Sequence, residues 1–421
     1  MTAPDSLPPV AQRFLRYVQI DTQSDPRSPT TPSTEKQKDL GRLLVDELQA
    51  IGLPDAAMDD FGYVYATLPS PLPPEEAARL PVVALLAHMD TSPDESGAGV
   101  KPVIHRRYDG GVIVLPGNPD VRLDPARQPA LLDHVGEDLI TSDGTTLLGS
   151  DDKAGVAVLV QLAADLLHDD TPRPTVRLCF TVDEEIGRGV DRLDLDRLGA
   201  DVGYTLDGSG IDSLSVETFN AARAVLTVRG VMVHPGYARD VMVNAVRILA
   251  EFISALPPTE APETTDGRAG YLHPHHLAAG DPSEASVEVI LRDFSEDGLA
   301  RRKDLLRRLA DALRLKYPKA QIDLTIEDQY KNMRAYIEAA DPRVITFAHG
   351  AAQSMGIRLT EQLVRGGTDG ARLSEMGLPT PNVFNGGYDY HSTFEWNTVQ
   401  NLERSLAFTK ALLHYWGRHG A

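Results

Sequence analysis

Residues 81–87 run apolar without alternation, the pattern of a strand covered on both faces. Residues 175–182 repeat that pattern, residues 201–206 give a shorter version, and residues 381–384 a last one that leads through Gly386 and Gly387. Helical spacing appears between them. Leu40, Leu43, Leu44, Leu48 and Ile51 fall on one face of a helix over 34–51, and Val158, Leu159, Leu162, Leu166 and Leu167 on one face of a helix over 154–167. Residues 9–19 predict a further helix. The proline-rich segment 68–74 can continue neither element.

The middle of the chain reads differently. Residues 221–229 and 285–293 alternate as half-buried strands do, and 241–256 and 297–316 read as amphipathic helices. A β, α, β, α order packs helices on one face of a sheet. The pattern predicts an α/β chain with a small α+β domain inserted at 215–330, which divides the first domain into 1–214 and 331–421. A chain of 421 residues favours two cores over one. An exposed edge strand near 285–293 is the expected place for a second copy to pair.

Composition narrows the class. The only cysteine, Cys179, lies in an apolar run, so no internal disulfide forms and packing is its expected use. Met1-Thr2-Ala3-Pro4-Asp5 lacks the basic and apolar regions of a signal peptide. No apolar stretch approaches the ~20 residues that span a bilayer. A cytoplasmic protein without membrane contact is expected. A net charge of −20 repels phosphate backbones and argues against nucleic acid as a partner.

Five distant segments end in metal-binding side chains: His88-Met89-Asp90, Ser150-Asp151-Asp152-Lys153, Asp183-Glu184-Glu185, Leu206-Asp207-Gly208 and Tyr390-His391-Ser392. Four follow apolar runs, and open α/β sheets place ligand sites outside the carboxyl ends of strands. Each segment also has a plainer use. Asp151 and Asp152 suit a helix N-terminus, Lys153 a structural counter-charge, and the other acids solvated turns. Together they offer two imidazoles and several carboxylates without cysteine, a set suited to two divalent cations and to hydrolysis. Three adjacent acids at 183–185 repel one another unless a cation is present. His273, His275 and His276 read as a surface loop. Gly149-Ser150-Asp151 lacks the spacing of a serine-hydrolase elbow, and no phosphate-binding glycine motif occurs.

Taken in order, these segments resemble the M20 family of metallopeptidases. The longer strings are most similar to its tripeptide-aminopeptidase branch: residues 87–94, 141–155, Val233-His234-Pro235-Gly236, Met242-Val243-Asn244-Ala245, Arg292-Asp293-Phe294 and Arg365-Gly366-Gly367-Thr368-Asp369-Gly370. The resemblance implies a mixed-sheet zinc-peptidase domain with helices on both faces, and an inserted lid domain that also pairs subunits as a homodimer. It implies two Zn2+ per subunit, with Co2+ or Mn2+ as substitutes. His88 and Asp207 would hold one cation, Glu185 and His391 the other, and Asp151 would bridge them, its peptide bond to Asp152 being cis. Glu184 would be the general base, and Asp90 would orient His88. On the inserted domain, His234 would stabilise an oxyanion, Asn244 add a hydrogen bond and Arg292 pair with a substrate carboxylate; Arg365 would lie near the site. Without the resemblance, His234 reads as a plain turn residue and Arg292 as a surface charge. The implied substrate is a small peptide, cleaved after its N-terminal residue. Related dipeptidase, carboxypeptidase and N-acyl amino-acid deacylase activities share the same core. A silent binding protein is disfavoured because His88, Asp151, Glu184, Glu185, Asp207 and His391 are all present.

Overall fold

The computed structural model describes residues 6–421. The chain forms two compact units. The first takes the chain up to Val216, then Ala335–Gln362 and Thr368–Ala421; the second takes Glu217–Arg334 and Leu363–Gly367. The second unit is therefore more than one continuous insert. The short return 363–367 joins it because the Phe219 N–H donates to Val364 O (3.2 Å).

The large sheet has eight strands, in the order Ala57–Met58, Val64–Leu68, Val176–Thr181, Val83–His88, Val202–Gly208, Asn382–Phe384, Ser213–Thr218 and Thr360–Val364. The central strands Val176–Thr181, Val83–His88, Val202–Gly208 and Asn382–Phe384 pair in parallel, while Val64–Leu68 and Ser213–Thr218 pair antiparallel beside them. The sheet is mixed. Four parallel strands bring four carboxyl ends to one edge, and the register pairs His88 with Thr181 and Leu86 with Thr205. Candidate ligands distant in sequence thereby share one rim.

Helices cover both faces of this sheet. Tyr204 and Thr205 are neighbours in a strand and so point to opposite sides. The Tyr204 hydroxyl donates to Val344 O (2.9 Å) of helix Arg343–Ser354 and accepts from Trp416 Nε1 (2.9 Å) of helix Val399–His419. Thr205 faces Asp369, at the start of helix Asp369–Glu375. Helix Ser150–Leu166 lies against Val83–His88 and is flanked by Pro9–Tyr17, Gln37–Ile51 and Val399–His419. It is buried nearly all round, Val156, Ala157, Val160 and Ala163 included, so the single apolar face expected from sequence understates it.

Short strands escaped the sequence pattern. Val103–His105, Leu139–Thr141 and Trp396–Thr398 form a three-stranded sheet, and Ile113–Val114 pairs with Arg122–Leu123. Strands of two or three residues are too short to show a period.

The second unit is an antiparallel sheet, ordered Tyr271–Asp281, Glu284–Asp293, Asn220–Arg229, Gln321–Tyr330. Helices Ala245–Ser254 and Glu296–Lys316 cover one face, where Leu226, Val228, Ile248, Phe252, Leu291 and Leu306 form the core. The opposite face carries the ion pairs Arg223–Glu288 and Arg229–Glu284. Two expectations are corrected here. Residues 285–293 are an interior strand, paired on both sides; the edges are Tyr271–Asp281 and Gln321–Tyr330. His273, His275 and His276 lie in edge strand Tyr271–Asp281 rather than a loop, with a register shift between Pro274 and His276. An edge strand tolerates the missing proline N–H. Among the described residues no helix is long and apolar enough to cross a membrane.

Tyr204→Phe would leave the buried Val344 carbonyl and the Trp416 indole N–H each without this partner. We expect a loss of about 1–3 kcal/mol in the first unit, read as a lower urea midpoint by tryptophan fluorescence. An unchanged midpoint would show that the hydroxyl contributes nothing net.

Candidate metal centre

His88 closes strand Val83–His88 with its side chain buried. Its Nε2 lies 2.8 Å from Asp151 Oδ1 and 3.6 Å from Asp207 Oδ1. The other oxygen of Asp151, Oδ2, lies 3.4 Å from His391 Nε2, which also reaches Glu185 Oε2 at 2.8 Å. One carboxylate thus spans two imidazoles, each with a further acid.

Two sets of donor atoms are close enough to share a cation: His88, Asp151 and Glu185, and His88, Asp152 and Asp207. The second set names Asp152. Its Oδ2 already accepts from the His88 N–H (3.3 Å), and its Oδ1 accepts from the Gly155 N–H (3.1 Å) and Asn385 Nδ2 (2.8 Å). Asp152 is occupied with three donors, whereas each oxygen of Asp151 faces an imidazole. The peptide bond between the two is cis.

Asp90 is fully buried and has two tasks. His88 Nδ1 lies 3.1 Å from the Asp90 backbone O, its hydrogen-bond partner, and 3.4 Å from Asp90 Oδ1. The same carboxylate accepts the Glu184 N–H on Oδ1 (3.0 Å) and the Glu185 N–H on Oδ2 (3.2 Å), so it also pins the acidic turn. That turn starts from Asp183 in the left-handed region (φ 57°), uncommon for a residue with a side chain. Hydrogen bonds from Ser33 N–H (2.7 Å) and Gln37 Nε2 (2.7 Å) to its carboxylate hold it there. Of the three adjacent acids, Asp183 is therefore spent on structure. Glu184 and Glu185 remain, and the buried Glu185 Oε1 has no hydrogen-bond partner among the described residues.

Burial pushes the Glu185 carboxyl up to about 8 and Asp207 to about 6, with the Asp151 charge adding to both, and holds Glu184 well above the usual range. Burial works against a charged His391, but hydrogen bonds to Asp151 and Glu185 win and raise it to about 11; His88 is raised against burial by Asp151, Asp207 and Asp90. In so buried a site the clustered acids either take up protons or need positive charge beside them. Protons on the imidazoles supply that charge in part. Divalent cations would supply it fully and would also satisfy Glu185 Oε1, so the residues fit a metal centre. A histidine–carboxylate set without sulfur suits zinc, cobalt or manganese.

Three further residues have no role assigned from the sequence, although Asp94 and Asp369 lie in the strings that carry the resemblance. Asp369 accepts from Thr181 Oγ1 (2.7 Å), and burial pushes its carboxyl up to about 7. With His88, Glu184, Thr205 and Asp207 it lines a cavity of about 10 Å³, the lower limit for one water. Gly189 has no room for a Cβ, which would sit 1.9 Å from Asp369 Oδ1. Asp94 Oδ2 lies 3.3 Å from His391 Nδ1. Glu395, 1% exposed, faces the backbone of the Asp151 loop. A lone acid between Phe394 and Trp396, four residues after a candidate ligand, was the available signal.

The remaining candidates belong to the second unit. His234 is exposed, and its Nδ1 accepts from the Gly236 N–H (3.2 Å). Asn244 caps helix Ala245–Ser254 by accepting from the Arg247 N–H (3.2 Å). Arg292 donates through one terminal nitrogen to Leu291 O (3.0 Å) and Gln329 Oε1 (3.1 Å), and its guanidinium lies 5.4 Å from the Tyr330 ring centroid. Both terminal nitrogens of Arg365 are committed, one to Gly267 O and Ala269 O and the other to Thr265 O and Oγ1.

Residues 216–321 match the family model described as a peptidase dimerisation domain. A relative named peptidase T, from Desulfitobacterium hafniense, is 46% identical over 94% of this chain and 95% of its own. The crystal structure of aminopeptidase PepT from Bacillus cereus superposes with a TM-score of 0.74 at 22% identity, covering 97% of this chain and 98% of that one. That of a dinuclear metal-binding M20 peptidase from Bacillus subtilis does so with a TM-score of 0.65 at 14% identity, over 96% of each chain. Fold and site define a metallopeptidase, a hydrolase of the M20 type. Within that class the chain belongs to the peptidase T family.

Imidazoles must be neutral and carboxylates ionised to ligate, whereas the neighbouring acids favour protonated His88 and His391 and burial raises Glu185 to about 8. Cation binding at pH 7 should therefore release protons from these ligands, and affinity should fall as pH is lowered. Calorimetry in buffers of different ionisation enthalpy measures the release; none would mean that the imidazoles are not ligands.

Proposed function

We propose that this chain is a two-cation aminopeptidase that removes the N-terminal residue from tripeptides, with zinc as the cation. The observation that carries the reading is the Asp151 carboxylate, whose two oxygens face the imidazoles of His88 and His391 at 2.8 and 3.4 Å. In this reading His88 and Asp207 hold one cation, Glu185 and His391 the other, and Asp151 both. When bound, the cations would lower the pKa of a water and polarise the scissile carbonyl.

The rest follows from the chain's own side chains. Glu184 forms no hydrogen bond through its carboxylate among the described residues and lines the small cavity beside His88 and Asp207. It is free to take a proton from the attacking water and return it to the leaving amine. Its raised proton affinity suits a base that must hold the proton briefly. Asp90 keeps His88 and the 184–185 backbone in one arrangement, so ligand and base move together. His234, with Nε2 unengaged, stabilises the oxyanion, and Arg292 pairs with the substrate carboxylate through its remaining donors. Asn244 keeps its amide Nδ2 for a substrate hydrogen bond. Arg365 we assign to anchoring the 363–367 return. The tripeptide preference rests on the peptidase T relatives. The dimerisation-domain match supports a homodimer formed through the second unit, whose strands Tyr271–Asp281 and Gln321–Tyr330 are sheet edges.

Glu184→Ala should lower kcat on an unblocked tripeptide by roughly 10²–10⁴-fold while zinc content stays at the wild-type level. Product analysis should find the free N-terminal residue, and N-acetylated tripeptide should stay intact. Cleavage of the acetylated peptide, or of acyl amino acids alone, would overturn the substrate reading.

A further inference from the structure

We propose that Glu395 is a positioning residue for the metal centre, clamping the loop before helix Ser150–Leu166 so that Asp151 meets both imidazoles; this rests on the two-cation reading above. Glu395 Oε2 accepts the N–H of Leu148 (2.8 Å) and of Gly149 (2.8 Å), and Oε1 accepts the N–H of Asp151 (3.0 Å). All three donors come from one four-residue stretch, and the carboxylate forms no ion pair among the described residues. Its bonding is directed at this loop.

The loop's own backbone is irregular. Gly149 is left-handed (φ 82°), and Asp151 (ψ 106°) and Asp152 (φ −120°) are not helical. Backbone amides here have no helical acceptor, and a carboxylate excluded from water bonds them strongly. Glu395 is itself fixed. The next residue, Trp396, is fully buried and pairs with Thr141, and Asn397 Nδ2 donates to Ser150 Oγ (2.8 Å). Glu395 also lies four residues after His391. One short segment thus carries an imidazole of the centre and the clamp on the carboxylate which that imidazole faces. The distance between His391 and Asp151 is set locally.

The amide of Glu395→Gln would turn N–H groups toward an N–H donor at one end of the clamp. Glu395→Asp keeps the charge but is one methylene too short to reach all three donors. The test is a competitive chelator titration of the metal-stripped full-length chain with Zn2+ alone, with thermal midpoints of the metal-free protein and kcat and KM on a tripeptide. We expect zinc affinity at least about tenfold weaker in the Gln variant, kcat lowered more than KM is changed, and an intermediate affinity in the Asp variant. A merely structural clamp would lower the metal-free midpoint and leave zinc affinity at the wild-type value, which overturns the proposal. Should the Gln variant not fold, wild-type affinity in the Asp variant overturns it equally. If the wild-type chain itself binds no zinc, the two-cation reading fails first.

Discussion

The structure is organised around one carboxylate that faces two imidazoles. Asp151 brings its oxygens to His88 and His391, which are 303 residues apart in sequence. Around this contact stand Glu185, Asp207 and Glu184, enough buried negative charge to destabilise any fold that left it uncompensated. The surrounding structure is built to bear that cost. Asp90 ties the acidic turn to the strand that carries His88, Ser33 and Gln37 hold Asp183 in its uncommon conformation, and Asn385 occupies Asp152. These polar side chains are spent on fixing others.

The parallel core of the large sheet makes this arrangement geometrically simple. Strands covered on both faces must be apolar along their length, and polar residues are excluded until the strand ends. Where four such strands run the same way, the first permitted polar positions gather on one rim. The second unit obeys the opposite rule. Its antiparallel strands alternate, with Leu226 and Leu291 against the helices and Arg223 and Glu288 on the other face. Such a sheet offers sides and edges rather than a rim, as befits the stretch that matches a dimerisation domain.

Much of this could be read from residue order. The unbroken apolar runs marked the parallel strands, and the polar residues that follow them are those the fold gathers around Asp151. The helix over 154–167 was evident but not its complete burial, because one apolar stripe in sequence looks alike whether the other side meets solvent or three more helices. The small sheet that includes Trp396–Thr398 was invisible, since three residues carry no period. Glu395 was lost with it: its meaning lies wholly in the distant N–H groups it accepts.

The sequence by itself determined the chemistry available, the strand ends that deliver it, and the α+β middle segment, because periodicity and the cost of burying charge act locally along the chain. The family resemblance names Asp151, Glu184 and Glu185 for the site, and only the tertiary structure decided what occupies the acids beside them. Asp183 and Asp152 are consumed by hydrogen bonds while Asp151 and Glu185 face imidazoles; residues 285–293 lie inside their sheet and not at its edge; and Arg365 binds backbone carbonyls of its own unit. These are pairings between distant segments, and no local pattern specifies which of several equivalent carboxylates finds a donor first.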